Sequence, residues 1–369
     1  MRRTKIICTI GPKTESPAML EKLAKAGMNI ARLNMSHGDH SSHKSVIDSL
    51  KILNKNLDHP VGILLDTQGP EIRTGDIAND LHLKAGDVVS IVVRGTDNVE
   101  ESSIQINYED LIKDTNIGDT ITVDNGLINL QVLEKQDRLM KVKVIDGGLL
   151  KSKRHVNLPG VRVNLPAITE KDKRDIKFGI QNKVDFIALS FVREASDIKS
   201  LKTLLGEDKR GTKIIAKLED QEAIKNMQEI IKVSDGVMVA RGDLGVDIPF
   251  EVLPRIQRRI IRTCAELGKR SIVATHMLES MINNPIPTRA EVTDVANAVY
   301  EEADAIMLSG ETTVGKFPVK CVETLDKIAR STESSRGLRF TDQLIVNESK
   351  QEIAKAAVSL AESISAKAI

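Results

Sequence analysis

Eight short runs rich in Val, Ile and Leu punctuate the chain, and a turn and then a segment of helical period follow each one. They are KIICTI (5–10), MNIARLNM (28–35), VGILLDT (61–67), DFIALSF (185–191), KIIAKLE (213–219), GVMVA (236–240), SIVATHM (271–277) and AIMLSGET (305–312). The runs are continuously apolar rather than alternating, which predicts strands buried on both faces, as in parallel sheets. Between them lie helix signals. Ser16 and Pro17 open SPAMLEKLAKAG and Gly27 closes it, and DQEAIKNMQEIIKV reads as a further single helix. Eight β/α units in series predict an α/β fold, a closed (β/α)8 TIM barrel of about 250 residues. A chain of 369 residues, 41% of them apolar, has the material for two or three domains.

One connection breaks the series. After the third run roughly 95 residues pass before the next barrel helix, expected near Thr169. Within them IRTGDIANDLHLKAGDVVSIVV and GDTITVDNGLINLQVLEKQDRLMKVKVI alternate, are β-branched and carry Gly, Asp and Asn turns, which predicts an inserted small antiparallel β-barrel. NLPGVRVNLP closes it and reads either as a hinge or as plain turn chemistry. The expected division is a barrel over 1–70 and 166–335 and an insert over 71–165. Residues 336–369 then hold one amphipathic helix, KQEIAKAAVSLAESI, whose apolar face carries Ile353, Ala357 and Leu360. SAKAI after it reads as the start of a strand, so this segment is expected to be the truncated beginning of a C-terminal α/β domain.

Charge and composition narrow the function. Fifty-three Lys and Arg against 52 Asp and Glu leave +1, so no whole-chain field gathers polyanions or a membrane surface. Aromatics at 2% and no Trp deprive a single-strand nucleic-acid channel of its stacking platforms. No stretch approaches the about 20 apolar residues of a membrane span. Cys8, Cys264 and Cys321 form no spacing pattern, which argues against a disulfide scaffold or a cysteine zinc site. The expectation is a cytoplasmic protein without nucleic-acid or membrane partners, in which Asn34 of NMS and Asn347 of NES are glycosylation sequons in form only.

In such a barrel the polar residues at the C-terminal strand ends are the active-site candidates. Strand 2 ends in Arg32, Asn34, Ser36 and His37, strand 3 in Asp66 and Thr67, strand 5 in Lys217 and Glu219. Strand 6 runs into Arg241, Gly242 and Asp243, strand 7 into Thr275 and His276, and strand 8 into Ser309 and Glu311. Glu219 and Asp243 on neighbouring strands suit Mg²⁺ held largely through substrate oxygens and water. They equally suit ion pairs with Lys217 or Arg241. Lys217 shares the inward face with Glu219. Flanking carboxylates raise its pKa, so charge stabilisation is expected of it rather than Schiff-base chemistry. Asn34, Ser36, Asp66 and Thr67 offer hard oxygens with one formal charge, suited to a monovalent cation, although Ser36 and Asp39 serve as well as helix caps.

Three other motifs are set aside. His40 and His43 in the triplet His37, His40, His43 are read as a solvated helix face. GETTVGK (310–316) has Phe317 where a P-loop needs Ser or Thr. RGD at 241–243 sits at a buried strand end.

KIICTIGP, GMNIARLNMSHG, LLDTQGPEIRTG, VDNGLINL, VNLPGV, KLEDQEAIKN, MVARGDLGV, MLESMINNPIPTRAEVTDVANAV and IMLSGET together closely resemble the pyruvate kinase family, bacterial members above all, across the whole chain. The resemblance implies transfer of a phosphoryl group from phosphoenolpyruvate to ADP, the glycolytic step that yields pyruvate and ATP, with Mg²⁺ (or Mn²⁺) and K⁺. It also implies that the insert acts as a lid and that the protein is a homo-oligomer, a homotetramer in the family pattern. Residue by residue, Arg32 matches a phosphoenolpyruvate-phosphate ligand, Glu219 and Asp243 the divalent-metal ligands, and Lys217 the lysine on the transferring group. Gly242, Asp243 and Thr275 match substrate contacts, and Thr275 lies near the proton delivered to the enolate. Asn34, Ser36, Asp66 and Thr67 match the K⁺ site; Asn34, Ser36, His37, Arg73 and Arg154 match nucleotide contacts. Glu71 resembles K⁺-requiring members, whereas Lys is found there in members that do without. Gln68, Arg154, His155 and His276 depart from the common pattern. Two other readings remain open from the sequence: a Mg²⁺-dependent lyase or aldolase acting on a pyruvate enolate, and a catalytically impaired fragment.

Overall fold

A computed structural model describes residues 2–77, 79–94, 103–124, 126–161, 163–206, 211–335, 337–343, 345–346, 348–364 and 366. Asn347 and most of SAKAI lie outside the described residues. The strands in chain order are β1 Lys5–Thr9, β2 Ile30–Asn34, β3 Gly62–Asp66, β4 Leu81–Leu83, β5 Val88–Val93, β6 Ile104–Ile106, β7 Thr120–Val123, β8 Ile128–Gln136, β9 Leu139–Asp146, β10 Gly148–Leu150, β11 Val156–Asn157, β12 Phe186–Leu189, β13 Lys213–Leu218, β14 Gly236–Ala240, β15 Arg270–Ala274 and β16 Ala305–Leu308. All eight apolar runs become parallel strands of one closed barrel in the order β1-β16-β15-β14-β13-β12-β3-β2. Continuous apolarity has the expected cause. One side of each strand packs on the helices, as Ile6, Leu33, Ile63 and Val237 do, while Ile7, Leu64, Met238 and Met307 fill the barrel's centre beside the small Ala188, Ala274 and Ala305. Alternation of bulky and small residues leaves a packed interior rather than a pore.

Helices form where their caps are written. Pro17–Ala26 ends at Gly27 in a left-handed backbone (φ 121°), although Ser16 makes no capping bond with its side chain. Thr169 caps Glu170–Gln181 in a reciprocal box with Asp172. Asp39, not Ser36, caps His40–Leu53. The segment read as one helix after Glu219 is two, Gln221–Lys225 and Met227–Val233, broken at Asn226, whose side-chain amide donates to the Arg193 carbonyl at 2.9 Å. An Asn satisfied by a loop carbonyl competes with helix continuation, and helical periodicity does not register that competition.

The insert carries β4–β11. Six strands pair in the order β11-β7-β8-β9-β5-β6, with β10-β4 as a separate ribbon. Pairing is antiparallel as expected except for β5 with β6, which run parallel. The two edges are drawn together by residues 72–75. Arg73 bridges His155 and Thr74 bridges Ile106, and the backbone bonds Val156 N–H to Ile72 (2.9 Å), Thr74 N–H to Arg154 (2.8 Å) and Gly75 N–H to Gln105 (2.8 Å) close the ring. The insert has its own core, including Ile91, Ile104, Leu130 and Val142.

Towards the C-terminus helix Ser349–Ser363 buries none of its residues, and Ile353 and Leu360 on it are exposed. Among the described residues no helix is long and apolar enough to cross a membrane. Met238 is fully buried at the barrel centre. Met238→Ala is expected to destabilise the barrel by about 2–5 kcal/mol, read as a lowered midpoint of chemical unfolding, because its neighbours on rigid strands cannot collapse into the cavity.

Candidate active site

At the C-terminal end of the barrel a chain of charges crosses three strands. Arg32 on β2 donates from Nε to Asp66 Oδ2 at the end of β3 (2.5 Å) and from Nη1 to the Thr9 hydroxyl on β1 (2.9 Å). Lys217 on β13 lies 3.2 Å from Asp66 Oδ1 and 2.9 Å from Glu219 Oε1, and donates to Ser190 Oγ at 2.7 Å. Glu219 Oε2 accepts the Phe191 N–H at 2.7 Å. Thr9, Asp66, Ser190, Lys217 and Glu219 are buried, Asp66 at 0% exposure and Glu219 at 2%, while Arg32 is partly open to the cavity.

Their ionisation follows from the arrangement. Burial alone would raise Asp66, but Arg32 and Lys217 overcome it and hold that carboxyl below its ordinary value. Burial alone would lower Lys217, but Asp66 and Glu219 overcome it and keep the amine protonated. Glu219 is raised: burial acts first, Lys217 pulls it down and the charge of Asp243 pushes it back up. Three carboxylates (Asp66, Glu219, Asp243) thus face two cations (Arg32, Lys217). Glu219 and Asp243 are the pair left short of positive charge, which is what a divalent cation with few protein ligands requires. The donor chemistry fits Mg²⁺ or Mn²⁺.

Most of the expected site residues line one cavity of about 210 Å³: Arg32, Asn34, Ser36, His37, Thr67, Arg73, Lys217, Glu219 and Asp243. Asp66 lies directly behind Arg32 and Lys217. The oxygens expected to take a monovalent cation sit on paired strand ends, since Asn34 and Asp66 are register partners and Thr67 follows. Asn34 Oδ1 also accepts the Ser36 N–H at 3.2 Å. A second cavity of about 510 Å³ shares Arg32, Asn34 and His37 and extends over Gly11, Pro12 and Ser309.

Gly242, Thr275 and Arg154 are not among the residues lining the smaller cavity. Gly242 N–H donates to Thr275 Oγ1 at 2.7 Å, and the Thr275 hydroxyl donates to the Ala274 carbonyl at 2.6 Å. Thr275 and His276 hold left-handed backbone (φ 67° and 55°), an uncommon conformation for such residues. The buried Arg241 steadies this turn by donating to the Thr275 carbonyl at 2.6 Å and to Asp294 at 2.7 Å. Arg154 faces Asp124 at 3.4 Å, within the insert. Glu311 is buried and accepts the Leu278 and Ser309 N–H groups, a structural task.

One expectation is corrected in part. His43 is buried, with Nε2 2.8 Å from the His37 carbonyl. His40 stacks on Phe178 with ring centroids 4.4 Å apart and meets Asp175 at 2.7 Å. His43 is therefore no part of a solvated face, whereas His40 stays exposed as expected, with its ring resting against helix Glu170–Gln181. Conversely, Thr9, Ser190 and the Phe191 N–H escaped the sequence reading. Thr9 and Ser190 are the polar residues ending KIICT and FIALS, so the strand-end criterion reaches both once applied to strands 1 and 4.

Fold and site define a (β/α)8-barrel protein with a β-insert after its third strand and a charged cavity at the strand ends. The family model for the pyruvate kinase barrel domain matches residues 1–322, and the chain belongs to the pyruvate kinase family. It is 51% identical to a pyruvate kinase of Staphylococcus epidermidis over 339 residues, 91% of this chain and 58% of that protein. A pyruvate kinase of Staphylococcus aureus is 50% identical over the same shares. The plastidial pyruvate kinase 3 of Arabidopsis thaliana is 49% identical over 92% of this chain and 59% of its own length. The chain therefore spans somewhat under three fifths of these relatives.

Asp66 is the one carboxylate shared by both cations. Asp66→Ala is expected to cost about 3–5 kcal/mol in equilibrium unfolding, since it leaves the buried Lys217 and the part-buried Arg32 without it. A loss below about 1 kcal/mol would show that other groups compensate those charges.

Proposed function

We propose that this chain carries the phosphoryl-transfer site of a pyruvate kinase, moving the phosphoryl group of phosphoenolpyruvate to ADP and releasing pyruvate and ATP. The observation that carries the reading is the protonated Lys217, fixed between Asp66, Glu219 and Ser190 at the cavity floor. Phosphoryl transfer asks for alignment and neutralisation of charge more than for covalent catalysis. A lysine held by three partners before substrate arrives has little reorganisation left to do. Arg32, braced by Asp66 and Thr9, presents the rest of its guanidinium to the substrate phosphate. Glu219 and Asp243 would hold Mg²⁺, and Asn34, Ser36, Asp66 and Thr67 would hold K⁺. Bound there, these ions supply the positive charge that the carboxylate-rich cavity lacks toward anionic substrates.

The larger cavity beside Arg32, Asn34 and His37 has room for the nucleotide, with Arg73 reaching from the insert into the smaller cavity that adjoins it. Thr275 is placed to orient a proton near the enolate. Its own hydroxyl hydrogen is engaged by the Ala274 carbonyl, so proton delivery through Thr275 requires that bond to be exchanged. The insert acts as the lid that excludes water during transfer.

A coupled assay of pyruvate formation from phosphoenolpyruvate and ADP tests the reading, and absence of turnover with Mg²⁺ and K⁺ present overturns it. Lys217→Met is expected to lower kcat by roughly 10³-fold or more while leaving phosphoenolpyruvate binding within about tenfold, because the charge acts mainly in the transition state. Replacing KCl by a tetramethylammonium salt at matched ionic strength should abolish most activity, and Glu71→Lys should partly restore it. Activity unchanged by the exchange removes K⁺ from the mechanism.

A further inference from the structure

The loop from Met35 to Asp39 follows β2 and bears Ser36 and His37, two of the groups proposed for the site. Its anchors come from another element. Lys171, in the first turn of helix Glu170–Gln181, donates to the Met35 carbonyl at 2.5 Å and pairs with Asp175 at 2.7 Å. The other oxygen of Asp175 meets His40 at 2.7 Å, at the start of the helix that follows the loop. Both ends of the loop therefore hang on one buried carboxylate. From below, His43 holds the His37 carbonyl. The same helical turn reaches the first linker of the insert as well. Asp172, fully buried, accepts the Gly69 N–H at 3.1 Å with one oxygen and the Thr169 N–H and hydroxyl at 2.9 and 2.6 Å with the other. Gly69 cannot drift far from that bond: its φ is 72°, and a Cβ there would stand 2.8 Å from the Phe191 ring. Thr169 ends the return linker from the insert, which is itself held where Arg193 donates to the Val163 carbonyl and where the Asn164 N–H donates to Tyr108 Oη at 2.9 Å.

We propose that the first two turns of helix Glu170–Gln181 are the positioning element of this site, with Lys171 and Asp175 fixing the loop that carries Ser36 and His37 while Asp172 fixes the first linker at Gly69. Neither Lys171 nor Asp172 lines the cavity, so both act through the groups they hold. A displacement of the return linker arrives at Thr169 and passes through these two turns to both loops at once. Lid position and the geometry of the nucleotide and K⁺ groups become linked by hydrogen bonds rather than by direct contact.

The proposal rests on the reading of Ser36 and His37 as site groups, and its test separates the two. Lys171 is partly exposed, so Lys171→Met keeps the aliphatic stem and removes only the donor. Hydrogen exchange in the intact chain is expected to rise about tenfold or more at the Ser36, His37 and Gly38 amides in Lys171→Met, with strand amides within about twofold and with recovery in Lys171→Arg. Asp172→Asn should raise exchange at Gly69. In the coupled assay Lys171→Met is expected to raise the KM for ADP and the half-activating K⁺ concentration by about five- to tenfold, with kcat within about threefold. Unchanged exchange at 36–38 overturns the proposal, and so does a uniform rise across the barrel, which marks a merely structural residue. A wild-type chain that makes no pyruvate removes the functional reading, and the exchange pattern then decides the positioning role alone.

Discussion

The placement of Lys217 sets the terms for the rest of the site. An ammonium sealed at the top of a barrel pays a desolvation penalty of several kcal/mol, and only well-placed carboxylates offset it. Asp66 and Glu219 do so from the two sides, and Arg32 shares Asp66, so β2, β3 and β13 must stand in fixed register for any of the charges to be compensated. A slip of one residue in β13 would turn Lys217, and Glu219 with it, towards the helices and leave Asp66 with Arg32 alone. Such a network contributes little net stability compared with an apolar core. What it contributes is position: each charge has one arrangement in which its partners are satisfied.

The barrel was legible because its signal is redundant. Eight apolar runs, the caps at Thr169 and Asp39 and the glycine after Ala26 all point to one topology, and local and global preferences agree. The site was legible to the extent that strand ends point to a common centre, which brought Arg32, Lys217, Glu219 and Asp243 together. What escaped lies in contacts between distant segments. His43 looks solvated in sequence, yet it is buried with its ring nitrogen on the His37 carbonyl, and the exposed His40 meets a carboxylate 135 residues away. Ser190 carries no motif, and its importance comes only from the approach of Lys217. The break at Asn226 answers to a carbonyl in the preceding loop.

Closure of the insert uses the same residues that join it to the barrel. Ile72 to Gly75 run out along one linker and His155 to Asn157 return along the other, and their mutual hydrogen bonds draw the sheet edges together. His155 in turn sits between the two bodies, 3.8 Å from Asp243 and with its ring tilted over Phe191. A sheet edge left open would invite pairing with other chains. Closing it with the linkers removes that edge and makes the insert's own integrity depend on them.

The first linker also bears on the charge at the cavity mouth. Glu71 Oε2 accepts from Arg73 at 2.6 Å and from Gln68 at 2.8 Å. Burial would raise the Glu71 carboxyl, yet Arg73 and Gln68 together keep it below its ordinary value, so it remains charged. The positive charge of Arg73 is then largely spent on a neighbour two residues away and projects weakly into the cavity. Lys217 is likewise committed to Asp66 and Glu219. Of the cationic side chains at the cavity, each has a carboxylate within 3.2 Å, so an incoming phosphoryl group meets neutral pairs rather than free charge. On the proposed reaction, the missing charge has to arrive with ions from solution. On that proposal, a site with Glu71 at its rim would need both a divalent and a monovalent cation for this electrostatic reason.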